Sequence, residues 1–374
     1  MPSRQSSKSI SAKPFLARVN ALRKRIPTWR CDALLITNSR DIRYLTGFVG
    51  DDSWAIVSAS SSRVTLLSDS RFDEEIARFA PQTKKVIRKS TVSLAQALND
   101  ELSNKSRNVA IQDAYVTLSQ RRTLEDKVKG VTFVPVDDGL LNQRAVKDKT
   151  EVAEIRKAVA IQQQALKNTL AYVKPGMSEL QVAAFLEYQM MDLGAEAPGF
   201  QSIVGAGANS SLPHYRPAQA KVKNNHIILF DWGARYEGYC SDMTRVVALG
   251  KMPKKIQEIY KIVLEAQLAA IDVIKPGALC RDVDKAARDV IRKAGYDKRF
   301  QHGLGHGIGL NIHESPRFGP NSEGELVEGH VVTVEPGIYL PGIGGVRLED
   351  DILVTKKGHE VLCDLPKDIK SAII

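Results

Sequence analysis

The segment from Asn225 to Val247, NHIILFDWGARYEGYCSDMTRVV, predicts a β-hairpin that presents two carboxylates. Its two ends are apolar β-type runs, and the Arg-Tyr-Glu-Gly sequence between them is typical of a turn. With a two-residue turn at Tyr236–Glu237, Asp231 lies directly opposite Asp242, whereas a turn at Glu237–Gly238 makes them diagonal neighbours on one face. Only an odd-length turn without a bulge would separate them. Because facing like charges are destabilising, the hairpin predicts a bound cation.

A second pair of acidic residues follows further along the chain. Glu335 and Glu349 each lie in a β-type run, and the glycine- and proline-rich turn Pro341–Gly345 separates the two runs. The sequence HGLGHGIG from His302 to Gly309, followed by His313, adds imidazoles to this region. Taken singly, each residue has an ordinary explanation as a cap, a turn residue, a solvated acid or a core histidine. Their joint occurrence favours a metal site.

Four carboxylates and one imidazole form a hard, oxygen-rich ligand set, which favours Mn²⁺, Mg²⁺ or Zn²⁺ over thiophilic metals. The charges indicate two divalent ions, because two such ions balance the negative charge of four carboxylates. Two ions roughly 3.5–4 Å apart would lower the pKa of a water between them towards neutrality, which makes that water a nucleophile. The residues therefore predict metal-assisted hydrolysis.

Length and composition are those of a globular protein with a sizeable core. The chain has 374 residues, of which 43% are hydrophobic and 26% charged, and its length could hold two domains. No apolar run reaches the roughly 18 residues of a membrane helix, and the N-terminus lacks the apolar region of a secretory signal. The four cysteines have no metal or redox spacing, so we expect reduced thiols in a cytoplasmic protein.

The formal net charge of +10 is concentrated at the N-terminus, where the first 30 residues contain eight basic and no acidic residues. The rest of the chain therefore carries only +2, without a basic stripe or interleaved aromatic residues. We interpret residues 1–12 as a disordered basic tail in solvent, and we expect neither nucleic acid nor a membrane as a partner.

Residues 13–145 predict an α/β domain, because strand-like and helical segments alternate along them. We interpret Asn38–Phe48 within it as a polar turn that passes into a buried strand. The domain contains no nucleophile, phosphate loop or ligand cluster, so we expect it to act as a lid, a specificity wall or a dimer contact. The predicted strands are Cys31–Thr37, Ser53–Ser58, Val64–Ser68, Val86–Lys89, Val109–Gln112 and Val131–Val136. The predicted helices are Phe15–Arg25, Arg71–Phe79, Ser93–Ser103 and Leu118–Lys129.

A second domain is expected over residues 146–374, and a helix from about Lys149 to Tyr172 begins it. An internal repeat lies within this domain. Val173–Met177 and Ile274–Ala278 each place Lys-Pro-Gly before a helical pattern that ends at a glycine, with a spacing of 101 residues. The repeat is explained either by chance recurrence of common helix signals or by an ancient duplication. A duplication predicts a pseudo-twofold domain with its site between the halves.

As an ordered set, the motifs resemble the creatinase/aminopeptidase P/prolidase family, whose catalytic domain has the pita-bread fold. The resemblance extends over essentially the whole chain, and Arg43–Gly47 (RYLTG) is similar to the creatinase-type N-terminal α/β domain of that family. It implies an α/β (α+β) protein in which this domain precedes a pseudo-twofold catalytic domain. The motifs of the second domain are Leu212–Tyr215, Asp231–Gly233, Ser241–Arg245, Gly305–Gly309, Glu335–Gly337 and Arg347–Asp350.

The resemblance also implies roles for individual residues. Two of the ligands, Asp242 and Glu349, would bridge two metal ions, and Glu335 would in addition handle the proton of the nucleophile. The ligands implied are Asp231, Asp242, His306, Glu335 and Glu349.

Four further residues of the pocket have implied roles outside the ligand set. His214 and His313 would stabilise the scissile carbonyl and the tetrahedral intermediate. His302 corresponds to a further histidine that lines the pocket. Arg347 would hold a ligand carboxylate in its orientation.

The family contains several activities, and three features favour its Xaa-Pro peptidases. The large N-terminal domain and Arg347 separate this chain from methionine aminopeptidases, while the complete ligand set argues against a creatinase-like or non-enzymatic homologue. We expect an Xaa-Pro aminopeptidase, with an Xaa-Pro dipeptidase (prolidase) as the alternative, acting on short proline-containing peptides. The expected metal is Mn²⁺, with Co²⁺ or Zn²⁺ as other possibilities. A homodimer or a dimer-based tetramer is expected.

Overall fold

The computed structural model describes residues 13–102, 107–137 and 139–374, and these form two compact units divided between Leu140 and Leu141. The predicted basic tail, residues 1–12, lies outside the described residues. A short helix, Gly139–Ala145, spans the division. The domain boundary expected after residue 145 stays a prediction.

The N-terminal unit contains one six-stranded sheet, and all six predicted strands are present in it. Their order across the sheet is β4-β3-β2-β1-β5-β6, with antiparallel β1–β2 and β2–β3 pairs and parallel pairs elsewhere. The strands are β1 (Ala33–Ile36), β2 (Trp54–Ser58), β3 (Thr65–Asp69), β4 (Lys84–Arg88), β5 (Asn108–Gln112) and β6 (Thr132–Val136). The helices are α1 (Lys13–Arg25), α2 (Ser39–Thr46), α3 (Asp73–Phe79), α4 (Leu94–Leu102) and α5 (Leu118–Lys127), and Gly139–Ala145 is α6.

The strand predicted within Asn38–Phe48 is wrong, because this segment forms the helix α2. Asn38 caps the helix by accepting a hydrogen bond from the main-chain N–H of Arg40 at 3.1 Å. Gly47 ends the helix with a φ of 80°, a left-handed conformation that glycine adopts without strain. Ile42 and Leu45 are buried on the same face, at helical rather than strand spacing.

The second unit begins with the predicted helix α7 (Lys149–Tyr172), and its boundaries are confirmed. Asp148 caps it, accepting hydrogen bonds from the N–H groups of Thr150 and Glu151. The other helices are α8 (Glu179–Asp192), α9 (Lys254–Asp272) and α10 (Cys280–Lys293). The first strands are β7 (Ala197–Pro198), β8 (Ile203–Ala206), β9 (His226–Trp232), β10 (Ala234–Tyr236), β11 (Tyr239–Cys240) and β12 (Met243–Leu249). The later strands are β13 (Gly305–Gly307), β14 (Glu314–Phe318), β15 (Val331–Val334), β16 (Gly337–Leu340), β17 (Gly344–Arg347), β18 (Asp350–Thr355) and β19 (Gly358–Val361).

The internal repeat has the same main-chain contact before α8 and before α10. In the first half, the N–H of Gly176, just before α8, donates to the carbonyl of Val222 at 2.8 Å. In the second half, the N–H of Gly277, just before α10, donates to the carbonyl of Leu326 at the same distance. Both glycines have positive φ, at 92° and 83°. This agreement in detail supports duplication over chance.

Two antiparallel sheets carry the site and share one apolar core. One has the order β12-β9-β8 and the other β14-β13-β15-β18-β19. Side chains of α9, α10 and both sheets pack in a single buried cluster behind them, including Leu229, Val263, Val283, Val332 and Ile352. Burial of each such side chain contributes about 1.5–3 kcal/mol, so the core fixes both hairpins against each other.

Within the described part of the chain, no helix is long and apolar enough to cross a membrane. All four cysteines are buried free thiols: Cys31, Cys240, Cys280 and Cys363.

Candidate metal centre

The hairpin predicted from Asn225 to Val247 is present, and its turn is Glu237–Gly238. Both turn residues have positive φ, 46° and 82°, as a two-residue hairpin turn with the correct twist requires. The register pairs Asp231 with Thr244, so Asp242 is the diagonal neighbour of Asp231 on the same face. The second of the two predicted turn positions is therefore correct.

Glu335 and Glu349 form the matching pair in the second half. The β15–β18 and β16–β17 pairings follow one common register, with Val334 opposite Asp350 and Gly337 opposite Arg347. Glu335 and Glu349 lie opposite each other in that register, at the break where neither belongs to a strand. The first predicted β-type run is thus interrupted at Glu335, and the second is interrupted at Glu349.

Three of the four carboxylates converge where the hairpin of Asp231 and Asp242 meets a second hairpin, which carries Glu335 and Glu349. Oxygen atoms of Asp231, Asp242 and Glu349 all lie within 4.8 Å of one another, and all three residues are buried. Thr244 stabilises this junction, because its hydroxyl donates to Oε2 of Glu349 at 2.6 Å. The N–H of Asp242 donates to Oδ2 of Asp351 at 3.0 Å.

His306 joins the cluster from β13. Its Nε2 lies 3.4 Å from Oε1 of Glu335 and 3.7 Å from Oδ2 of Asp242. Its Nδ1 lies 3.1 Å from the carbonyl oxygen of Gly307, and because a carbonyl only accepts, Nδ1 carries the proton. Burial lowers the pKa of His306 to about 3, so the ring is neutral and the Nε2 lone pair faces the carboxylates.

The electrostatics of the cluster fit a bound cation. Burial, followed by repulsion from neighbouring carboxylates, holds the pKa values of Asp242 and Glu349 well above their ordinary range. Burial also raises the pKa of Glu335 to about 8 and the pKa of Asp231, against the attraction of Arg347. Among the residues that the structure describes, none donates a hydrogen bond to the buried Oδ1 atoms of Asp231 and Asp242. These two oxygens and the Nε2 lone pair of His306 are available as ligands for a divalent metal ion.

Arg347 contacts the cluster from β17. Its guanidinium donates to Oδ2 of Asp231, to Oγ1 of Thr244 at 3.0 Å and to the hydroxyl of Tyr339 at 2.7 Å. The buried guanidinium of Arg347 thus orients one carboxylate from each side of the hairpin junction. It contacts Asp231 directly and Glu349 through Thr244.

His302 lies in the cavity wall, and both its ring nitrogens are engaged. Nδ1 donates to the carbonyl of Gly303 at 2.8 Å, so Nε2 accepts from the hydroxyl of Tyr339 at 2.9 Å. Tyr339 in turn accepts from Arg347, and burial raises its pKa to about 12. Tyr339 was not singled out from the sequence, where its only signal is its place in the strand after Glu335.

The cluster forms the floor of an open cavity of about 920 Å³. His214 and His313 line this cavity, and both side chains are exposed to it. The ring of His313 packs edge-on against His306, with 4.4 Å between the ring centroids. The two histidines therefore border the ligand cluster without belonging to it, which is where groups that contact a bound substrate would lie.

Apolar and cationic side chains form a further part of the cavity wall. Phe200, Ile203 and Phe318 supply apolar surface. Arg216 and Arg317 add positive charge, and Arg317 is the cross-strand partner of His306. Neither arginine was predicted, because a lone exposed arginine carries no pattern in a sequence.

Comparisons with known proteins match both parts of the chain to known families. Residues 153–356 match metallopeptidase family M24, and residues 18–146 match the creatinase/prolidase N-terminal domain. Peptidase YqhT of Bacillus subtilis is 35% identical over 339 residues, 90% of this chain and 95% of that protein. An Xaa-Pro dipeptidase from Bacillus anthracis is 34% identical with a TM-score of 0.91, covering 97% of this chain and 100% of its own. An X-Pro aminopeptidase from Thermotoga maritima is also 34% identical, with a TM-score of 0.88 and coverage of 94% and 100%.

Proposed function

This chain belongs to metallopeptidase family M24, and from that premise we propose that it hydrolyses the bond between an N-terminal residue and a following proline. It has a creatinase-type N-terminal domain and a catalytic domain of the pita-bread fold. The observation that carries the proposal is the cluster of buried carboxylates and one imidazole lone pair at the floor of an open cavity.

Five residues would hold two divalent ions, with Mn²⁺ as the proposed metal. Asp242 and Glu349 would each contribute a buried carboxylate to this site, at the junction of the two hairpins. Bound metal at such a site lowers the pKa of water towards neutrality and polarises a carbonyl oxygen. The proposed ligands are Asp231, Asp242, His306, Glu335 and Glu349.

The remaining chemistry belongs to side chains around the ligands. Glu335, whose Oε1 lies 3.4 Å from Nε2 of His306, would accept the proton of the attacking water and return it to the leaving nitrogen. His214 and His313 donate hydrogen bonds to the oxygen of the scissile carbonyl, where negative charge develops. Arg347 keeps Asp231 in place while the free amine of the substrate binds beside it.

The proposed site suits a proline bond for a chemical reason. The Xaa-Pro bond is a tertiary amide without an N–H, so peptidases that bind the substrate through that donor handle it poorly. None of the proposed contacts needs an N–H on the scissile bond, because His214 and His313 bind its carbonyl oxygen. Apolar side chains of Phe200, Ile203 and Phe318 offer a surface for the proline ring.

A second candidate, Xaa-Pro dipeptidase action, is favoured by Arg216 and Arg317. Both are exposed in the cavity wall, and neither has an ion-pair partner among the residues that the structure describes. A dipeptide places its C-terminal carboxylate one residue beyond the scissile bond, and a guanidinium binds that group well. The relatives do not separate the two activities, since the dipeptidase and the aminopeptidase have the same sequence identity of 34% to this chain.

The test is a comparison of three substrates with metal-loaded enzyme: Xaa-Pro, Xaa-Pro-Xaa and Xaa-Ala-Xaa. Preference for the proline tripeptide supports aminopeptidase action, and exclusive use of the dipeptide supports a prolidase. Arg317→Ala should then raise KM for the dipeptide and leave the tripeptide little changed. Equal or better cleavage of the alanine peptide would contradict the proline assignment altogether.

A further inference from the structure

The loop that carries His214, residues 206–218, is hydrogen-bonded to a buried carboxylate on the helix α8. Glu179 is the first residue of α8, directly after the capping residue Ser178, and its exposed fraction is 0%. It lies 35 residues before His214 in the chain, and the hydrolysis described above does not use it. A buried glutamate in this position needs partners, because an unpaired buried charge is costly.

Each oxygen of Glu179 accepts two hydrogen bonds from this loop. Oε1 accepts from the main-chain N–H of Ala206 at 2.7 Å and from Nδ2 of Asn209 at 2.9 Å. Oε2 accepts from the hydroxyl of Tyr215 at 2.7 Å and from the main-chain N–H of Ala218 at 3.3 Å. A carboxylate offers about four acceptor positions, so its capacity is filled by one loop.

The segment between Asn209 and Tyr215 is closed by its own hydrogen bonds. The N–H of Leu212 donates to the carbonyl of Asn209, and the N–H of Tyr215 donates to the carbonyl of Leu212, both at 3.1 Å. Nδ2 of Asn209 also donates to the hydroxyl of Tyr215 at 2.9 Å. His214 lies inside this closed segment. The next residue is Tyr215, whose hydroxyl donates to Glu179.

We propose that Glu179 is a positioning residue, which sets the place and direction of the His214 imidazole through Asn209 and Tyr215. The inference rests on the proposed function, in which His214 donates a hydrogen bond to the substrate carbonyl. His214 itself is exposed, so its direction depends on the backbone that carries it. A displacement of about 1 Å at a reacting group can cost on the order of 100-fold in rate.

Glu179→Gln is the sharpest variant because it keeps the side-chain volume. A glutamine offers one acceptor oxygen, and its NH₂ group would face two of the four donors. We expect kcat to fall roughly 10- to 100-fold, with KM and metal content nearly unchanged.

A double-mutant cycle separates positioning from a general structural effect. In a His214→Ala background, Glu179→Gln should lower kcat by less than about twofold, because the residue it positions is gone. In a His313→Ala background, it should retain its full effect. An equal loss in both backgrounds would overturn the proposal.

A smaller variant and a second readout cover the case in which Glu179→Gln does not fold. Tyr215→Phe removes one of the four bonds and should lower kcat roughly three- to tenfold, again only when His214 is present. Amide exchange should become faster in residues 206–218 of either variant and remain unchanged in α10. Unchanged exchange together with unchanged kcat would contradict the inference. A wild-type enzyme that cleaves no proline peptide contradicts the proposed function instead. In that case the amide-exchange measurement still tests whether Glu179 holds residues 206–218 in place.

Discussion

Asp242 and Glu349 occupy equivalent positions in the two halves of the catalytic domain. The N–H of Asp242 donates to Asp351, two residues beyond Glu349, and the N–H of Glu349 donates to the carbonyl of Thr244, two residues beyond Asp242. Each acid is therefore held by the hairpin that carries the other. The backbone at the centre of the site is therefore fixed by reciprocal contacts between the two hairpins.

Asp242→Asn should remove most of the activity and leave the fold intact. The amide keeps the size of the side chain and loses the charge that a bridging ligand needs. We expect more than the roughly 10- to 100-fold loss that follows when only an outer partner of a ligand is removed. The measurement is kcat/KM with metal content by elemental analysis, and Asp282→Asn on the exposed face of α10 is the control. Normal turnover in Asp242→Asn would exclude it from the metal site.

His214→Ala should keep the metal and lose turnover. The side chain lines the cavity outside the ligand cluster, so its removal leaves the proposed ligands untouched. Loss of one hydrogen-bond donor to the developing oxyanion typically costs about 10²- to 10³-fold in kcat. Loss of metal in this variant would show that our separation of ligands from substrate contacts is incorrect.

Chelation should abolish activity and lower the melting temperature together. Metal that binds only the folded protein stabilises it by about 2.7 kcal/mol at a free concentration 100 times its dissociation constant. Activity should return best with Mn²⁺ or Co²⁺, measured against Zn²⁺ and Mg²⁺ at equal free concentration. Full peptidase activity in protein that elemental analysis finds free of metal would refute the metal dependence.

The stability lost on chelation should increase with pH. In the metal-free protein, burial raises the pKa values of the carboxylates, that of Glu335 to about 8, so the folded state binds more protons than the unfolded state. This contribution to the free energy of unfolding is fully present below the pKa that the carboxylates have in the unfolded state. It is lost as the pH rises through their pKa in the folded state. His306 has the opposite effect, but only below its unfolded pKa of about 6.5. Melting curves of chelated and loaded protein should therefore diverge between about pH 6.5 and 8.5, and parallel curves would contradict this.

Two expectations from the sequence concern regions away from the site. Sedimentation at micromolar concentration should give a homodimer or a dimer-based tetramer, and a monomeric mass would count against it. Removal of residues 1–12 should leave kcat and KM unchanged, because none of the proposed ligands or substrate-binding residues lies in that segment.

The family, the pita-bread fold and the creatinase-type N-terminal domain were predictable from short motifs, and the matches to known families and structures confirm them. The hairpin of Asp231 and Asp242 was predictable too, because strand alternation and turn chemistry are local. The choice between its two registers was not, since it depends on which residues adopt positive φ. The helix α2 was missed because a cap at Asn38 and a stop at Gly47 outweighed the β-type residues between them.

Contacts between distant segments could not be read from the sequence. Tyr339 acts between Arg347 and His302, and Glu179 joins four donors of a loop far along the chain. Each is an unremarkable residue in its own segment. Only the packed structure brings their partners within hydrogen-bond distance.

The hydrogen bond from Nδ1 of His306 to Gly307 also determines where protons go when the metal enters. The imidazole already presents its lone pair, so it has no proton to release. We expect the displaced protons to come instead from the carboxylates whose pKa values burial raises, Asp242, Glu335 and Glu349. The heat of metal uptake should accordingly vary with the ionisation enthalpy of the buffer, with a proton count that falls as the pH rises.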